Sequence, residues 1–139
     1  KMDDIETMYQ EQILDHYKNP RNFGKIMDAT VHHHEKNPLC GDELDAYFLI
    51  DDNGNIADVK IYGRGCAISQ ASASMLTEKV KGKSIDEIKK LNKDDILEML
   101  GIPISAARLK CALLSFDTFK NAILIFEKYI KEPGVKGKR

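Results

Sequence analysis

The stretch Leu44-Asp45-Ala46-Tyr47-Phe48-Leu49-Ile50, followed by Asp51-Asp52-Asn53-Gly54-Asn55 and then Ile56-Ala57-Asp58-Val59-Lys60-Ile61-Tyr62, decides the fold. Its outer segments are rich in β-branched and aromatic residues, which fit a pleated, half-buried surface. The five residues between them carry the Asp, Asn and Gly that a tight reversal needs. Two antiparallel strands joined by a hairpin follow. Upstream, residues 29–34 read as a short extended piece after the Asn22-Phe23-Gly24 turn, supplying a third strand. Further back, Ile5, Met8, Tyr9, Ile13, Leu14 and Tyr17 recur near helical spacing, and Asn19-Pro20 ends the amphipathic helix they predict over residues 5–17.

Downstream of the hairpin the period changes. Residues 67–80 mix small residues with Met75, Leu76 and Val80 and stop at Lys81-Gly82, the basic last turn and glycine stop of a helix. Ala71, Ser72, Ala73 and Ser74 are expected to give it a small-residue face for close packing on the sheet. Ser84-Ile85-Asp86-Glu87 resembles a capping box opening a short helix, and residues 93–100 form another that stops at Gly101-Ile102-Pro103. Residues 105–131 make a long helix with the apolar stripe Leu109, Leu113, Phe116, Ile123, Phe126 and Ile130. Strands first and helices after them predict an α+β domain, a small three-stranded antiparallel sheet with helices packed on one face. One domain is expected over residues 2–132, with a solvated, disordered basic tail at residues 133–139.

The 139 residues carry 21 Lys+Arg against 22 Asp+Glu, a formal net charge of −1. That balance leaves no electrostatic footprint for nucleic acid. No apolar run approaches the roughly 18 residues that span a bilayer, and the first residues lack the apolar stretch of a signal peptide. A cytoplasmic protein with neither nucleic acid nor membrane as partner is the expectation.

Three cysteines remain to be explained: Cys40, Cys66 and Cys111. Free cysteine often packs as a small hydrophobe, so count alone leaves core packing and ligation both open. A disulfide framework fits poorly with an odd number of thiols. Each cysteine falls at the edge of an expected element: Cys40 just before the hairpin, Cys66 where a strand meets a helix, Cys111 near the start of the last helix. At a helix N-terminus the unpaired amides and the dipole favour a thiolate at Cys66. Asp42 lies two residues after Cys40, and in an extended segment the two side chains share a side. Cys40, Asp42, Cys66 and Cys111 together suit tetrahedral zinc or the thiolate shell of a small iron-sulfur cluster. Four anionic ligands leave about two excess negative charges around a dication, which Arg64, Arg108 and Lys110 stand close enough in sequence to offset. The intervals are long, unlike the paired Cys-x-x-Cys ligands of structural zinc knuckles, so the site is one that the tertiary fold assembles.

Four segments carry a resemblance to a known family. They are Asp15-His16-Tyr17-Lys18-Asn19-Pro20-Arg21-Asn22, Asn37-Pro38-Leu39-Cys40-Gly41-Asp42, the run Gly65-Cys66-Ala67-Ile68-Ser69-Gln70-Ala71-Ser72-Ala73-Ser74, and Arg108-Leu109-Lys110-Cys111-Ala112. In that order they resemble the IscU/NifU/SufU family of iron-sulfur cluster assembly scaffolds. The resemblance implies a SufE/NifU-like fold and a carrier rather than an enzyme. It implies that persulfide sulfur comes from a cysteine desulfurase, that iron is bound, and that a transient 2Fe-2S cluster is built and passed to apo-proteins. It makes Cys40, Cys66 and Cys111 ligands and sulfur acceptors, and Asp42 a labile ligand. A homo-oligomer sharing the cluster is compatible with it. Lys110 stands where IscU-type members have histidine, as in SufU-type members, which bind zinc and stimulate a desulfurase. The further stretch that SufU-type members insert before the third cysteine is missing here, and Ile102-Pro103-Ile104-Ser105-Ala106 replaces the Leu-Pro-Pro-Val-Lys chaperone motif of IscU-type members.

His32-His33-His34 looks metal-like, yet consecutive strand residues alternate faces, so all three cannot chelate one ion. They are expected to face solvent. His16 is read as a structural or surface residue.

Overall fold

The computed structural model describes residues 4–38 and 40–131. The expected basic tail lies outside them, as does the side chain of Ile130. Among the described residues the order is α1 (Asp4–Lys18), β1 (Val31–Lys36), β2 (Glu43–Ile50), β3 (Ile56–Arg64), α2 (Ala67–Val80), α3 (Ile85–Lys90), α4 (Lys93–Leu100), a 3-10 turn at Ala106–Arg108 and α5 (Leu109–Lys131). No helix among them is long and apolar enough to cross a membrane.

The hairpin forms as its sequence demands. The Asp51 carboxylate accepts from the backbone N–H of Asn53 and of Asn55, each at 2.9 Å, and Gly54 takes the left-handed φ of +80° that the reversal requires. The three strands pair antiparallel in the order β1-β2-β3. Leu44, Ala46, Phe48 and Ile50 on β2 and Ile56, Val59 and Ile61 on β3 are buried, and α2 and α5 cover that face. Phe48 meets Phe119 of α5 edge-on, ring centroids 5.1 Å apart. Burying each such side chain is worth about 1.5–3 kcal/mol, so this layer holds the domain together. The predicted architecture of helices on one face of a three-stranded sheet is the one observed.

Three helices depart from the reading of their patterns, α5 only in that Leu109, the first member of its expected stripe, is exposed. In α2, Ala71, Ser72, Ala73 and Ser74 are all fully buried. Four consecutive residues at 100° steps cover most of a helix circumference, so they are no single face but a helix surrounded by α1, α5 and β3. In α1 the opposite holds. Ile13 is buried, but Ile5, Met8, Leu14 and Tyr17 are exposed, because neighbours such as Ile13 and Leu14 point 100° apart and cannot share one buried stripe. The buried side of α1 includes His16, whose Nδ1 lies 2.7 Å from Ser74 Oγ on α2. Burial lowers the proton affinity of this imidazole below the usual histidine value, and the Arg21 charge acts the same way.

The helix starts also differ in detail. At α3 only half of the capping box forms, with Ser84 Oγ accepting from Asp86 N at 3.0 Å. The reciprocal box belongs to α4, where Asn92 and Asp95 cap each other. A 3-10 turn at Ala106–Arg108 precedes the last α-helix, which begins at Leu109 and not at residue 105, and this places Cys111 in its first turn.

Candidate metal centre

Three elements bring the thiols to one end of the molecule. The first is the loop between β1 and β2. Buried Asn37 closes it: the Asn37 N–H donates to Asp42 O and the Asn37 carbonyl accepts from Gly41 N–H, both at 2.8 Å. Gly41 has a left-handed φ of +77°, which a residue with a side chain rarely adopts. This reversal gathers Cys40 and Asp42, and the expected extended segment is corrected, since β2 begins only at Glu43.

The second element is the junction of β3 and α2. Cys66 is the N-cap of α2, with extended backbone at φ −74°, ψ 170°. Its carbonyl accepts from Gln70 N at 3.0 Å and from the Ser69 hydroxyl at 3.2 Å. The Gln70 amide, oriented as its neighbours require, accepts through its oxygen from Gly65 N at 2.8 Å and Arg64 N at 3.2 Å. The first turn of α2 thus folds back onto the segment that carries Cys66. A methyl group at Gly65 would stand 2.7 Å from Asp42 Cγ, 2.8 Å from Asp42 Oδ1 and 2.5 Å from Ser69 Oγ, all closer than van der Waals contact. Glycine leaves the room that the Asp42 carboxyl occupies. The Gly63-Arg64-Gly65 run suggested a backbone bend, but nothing local in it pointed to a carboxylate from another loop.

The third element is α5, which carries Cys111. Its Sγ lies 3.3 Å from Cys40 Sγ, and a carboxylate oxygen of Asp42 completes a set whose ligand atoms all lie within 4.8 Å of one another. Two thiolates on one tetrahedral ion at about 2.3 Å stand roughly 3.8 Å apart, so the pair is close to ligating separation. Cys40 is exposed, whereas Asp42 and Cys111 are each 96% buried, retaining 4% of their surface. Asp42 Oδ2 is the one buried side-chain oxygen or nitrogen among the described residues without a hydrogen-bond partner. A buried carboxylate oxygen left unpaired costs free energy unless a cation satisfies it. Burial pushes the Cys111 thiol well above its ordinary range, hydrogen bonds with Cys40 and Asp42 push the same way, and the charges of Cys66 and Asp42 add to them. A cation bound among these acidic groups would reverse that logic by deprotonating the thiols. The donor set present, soft sulfur with one hard oxygen, fits a thiophilic metal.

Half-buried Cys66 stands outside that tight set, at its rim, joined to it by Gly65 against Asp42 and by the charge it exerts on Cys111. The basic residues are placed differently from one another. Arg64 is exposed and its guanidinium donates to Glu43 Oε2 at 2.8 Å on the outer sheet face, since strand alternation turns it away from the helices. Arg108 is exposed in the 3-10 turn, and Lys110 is exposed beside Cys111, where its charge acts on Asp117.

Residues 8–133 match the family model of the NifU-like N-terminal domain. The chain is 40% identical over 117 residues to an iron-sulfur cluster assembly scaffold protein IscU of Archaeoglobus fulgidus, covering 84% of this chain and 75% of that protein. It is 36% identical to the zinc-dependent sulfurtransferase SufU of Bacillus subtilis, covering 86% and 91%. Among solved structures, the N-terminal part of a nitrogen-fixing NifU-like protein from Brucella abortus superimposes with a TM-score of 0.73 at 25% identity, covering 89% of this chain and 97% of that one.

Proposed function

The chain belongs to the NifU-like N-terminal domain family, and from that premise we propose that it is a scaffold for the de novo assembly of a transient 2Fe-2S cluster from iron and desulfurase-derived persulfide sulfur, which it passes to apo-proteins. The observation that carries this reading is the Cys40–Cys111 pair at 3.3 Å beside a buried Asp42 oxygen that has no partner. Iron and sulfide are its cargo, each persulfide sulfur taking two electrons, in part from an external electron donor, to become sulfide, and the chain is a carrier rather than a catalyst. Cys40, Asp42 and Cys111 hold the cargo, and Cys66 at the rim completes the set. The buried members retain the cluster, while exposed Cys40 keeps it open to donor and acceptor. A hard carboxylate oxygen is the weakest link among soft thiolates, so Asp42 is the ligand that lets go. A cysteine desulfurase and apo iron-sulfur proteins are the partners this role requires, a second copy sharing the cluster is compatible with it, and the reducing cytoplasm is where such thiols persist.

Anaerobic reconstitution with ferrous iron and sulfide tests the reading. The expected result is the visible absorption of a 2Fe-2S centre that disappears on transfer to an apo-ferredoxin. The zinc-dependent relative and Lys110 before Cys111 favour a second reading, a zinc-bound sulfur acceptor that stimulates a desulfurase. Tightly retained zinc that blocks iron loading would select it.

A further inference from the structure

A second gathering of metal-ligating side chains lies on the sheet face turned away from the helices. His32 and His34 are two residues apart on β1 and project to that outer face, while His33 points inward to Glu35, Nε2 to Oε2 2.7 Å. Asp45 on β2 is the register partner of His34. Opposite residues in an antiparallel pair are neighbours, and the diagonal residue is within reach of a long side chain. The result is convergence on one atom: Asp45 Oδ1 lies 2.7 Å from His32 Nε2 and 3.2 Å from His34 Nδ1. The His32 ring is already oriented, stacked on Tyr47 with centroids 4.2 Å apart and planes within 8°. The other nitrogen of His34, Nε2, faces Glu43 Oε1 at 3.5 Å, and Arg64 holds the second oxygen of Glu43 at 2.8 Å.

We propose that His32, His34 and Asp45 form a binding site for a borderline divalent transition-metal ion such as Zn2+, with Glu43 orienting His34. The ion takes the place of the protons now shared with Asp45 Oδ1. His32 ligates through Nε2 with its proton on Nδ1, and His34 through Nδ1 with its Nε2–H directed at Glu43, the carboxylate–histidine pairing that fixes a ligand's tautomer and orientation. The charges on this face come close to balance, Asp45 and Glu43 against Arg64 beside Glu43 and Lys36 opposite it in register, so what draws a cation is the convergence of donor atoms rather than a net charge. All three ligands are partly exposed, with side-chain exposures of 46%, 45% and 23% for His32, His34 and Asp45, and they sit on regular backbone; the two imidazoles flank Asp45 Oδ1 and have to turn toward each other to share an ion. Two imidazoles and one carboxylate leave a fourth position for water, the pattern of an exchangeable site rather than a closed structural one. Nitrogen and oxygen donors without sulfur suit zinc, nickel or cobalt and separate this site from the thiol pocket. The inference is independent of the cluster-scaffold reading.

Zinc and cobalt titrations of the full chain, followed by calorimetry and absorption, test it. The unaltered protein is expected to take up two equivalents of Zn2+, and the His32→Gln, His34→Gln double variant one. Cobalt retained by the double variant keeps its sulfur-to-metal charge-transfer band, which marks the thiol pocket and reports that the fold is intact. A Cys40→Ser, Cys111→Ser double variant loses that band yet still binds one equivalent at the outer face, and Glu43→Gln weakens the outer site about tenfold. Undiminished zinc uptake in the histidine double variant overturns the proposal, as does an outer-face equivalent missing from both the unaltered protein and the cysteine double variant.

Discussion

The pocket of Cys40, Asp42 and Cys111 and the outer-face group of His32, His34 and Asp45 both collect ligand atoms, but by different means. The pocket draws on a loop and a helix turn 71 residues apart in sequence at its two thiols, is largely buried, and holds an oxygen without a partner. The outer-face group needs only one strand's alternation and one strand pairing, is half-exposed, and has both imidazoles hydrogen-bonded to the shared carboxylate. Sulfur and burial make the first suited to holding a soft cargo, whereas imidazole and solvent make the second suited to rapid exchange. A site built by tertiary closure is also tied to the integrity of the whole domain, while a site built on one strand pair is tied to that pairing alone.

Replacing Cys111 tests this contrast most severely. Cys111→Ser is expected to abolish the visible absorption after reconstitution while leaving zinc uptake on the outer face unchanged; a parallel loss at both places, seen by titration, would mean that the two regions are not separable. Gly65→Ala comes next. The added methyl has to displace the Asp42 carboxyl, which should cost about 1–3 kcal/mol in denaturant unfolding, in the range of other overpacking changes, and reduce cluster yield severalfold. Gly101→Ala is its control, since Gly101 has φ +74° and lies against the Tyr9 ring rather than against Asp42. A comparable stability loss there with normal reconstitution per folded molecule would locate the Gly65 effect in the pocket.

Asp42→Ala should act on release rather than folding. The substitution relieves the cost of the unpartnered Oδ2 but also ends the hydrogen bond with Cys111, so the unfolding midpoint of the cluster-free protein is expected to change little, and cluster transfer to an apo-ferredoxin is expected to slow. Transfer at the original rate or faster would reject the labile-ligand role. The smallest effect concerns His16, which belongs to neither region. Burial keeps its folded-state proton affinity below that of the unfolded chain. The unfolded state therefore binds more protons once pH falls through about 6.5, so this contribution to stability is complete above that value and is lost on acidification towards the folded-state pKa. Denaturant midpoints between pH 7.5 and 5 should decline more steeply in the unaltered protein than in His16→Gln, with metal uptake at neutral pH the same in both.

Much of this is legible in the sequence. Strand alternation in residues 44–50 and 56–62 and the Asp51 to Asn55 reversal are local properties, and the sheet followed them closely. The alternation of His32, His33 and His34 was readable too. Its consequence, a pair on one face, became specific only when the register set Asp45 opposite His34. The α1 and α2 patterns were misleading because periodicity reports which residues are apolar, not how many neighbours surround a helix. Small residues let α2 be enclosed on every side, whereas the spread of apolar residues around α1 left several exposed. Arg64 was near Cys66 in sequence, yet strand alternation sent it to the opposite face.

What the amino-acid sequence determined by itself was the set of elements, their layering, and the identity of the thiols at element edges, because these depend on local backbone preference and on side-chain chemistry. What only the tertiary structure decided was which edges meet. The contact of Cys40 with Cys111, the seat of Asp42 against Gly65 and the position of Cys66 at the rim all depend on distances between chain segments that no local interaction sets; they appear when burial of the sheet face under α2 and α5 brings the ends of those elements together.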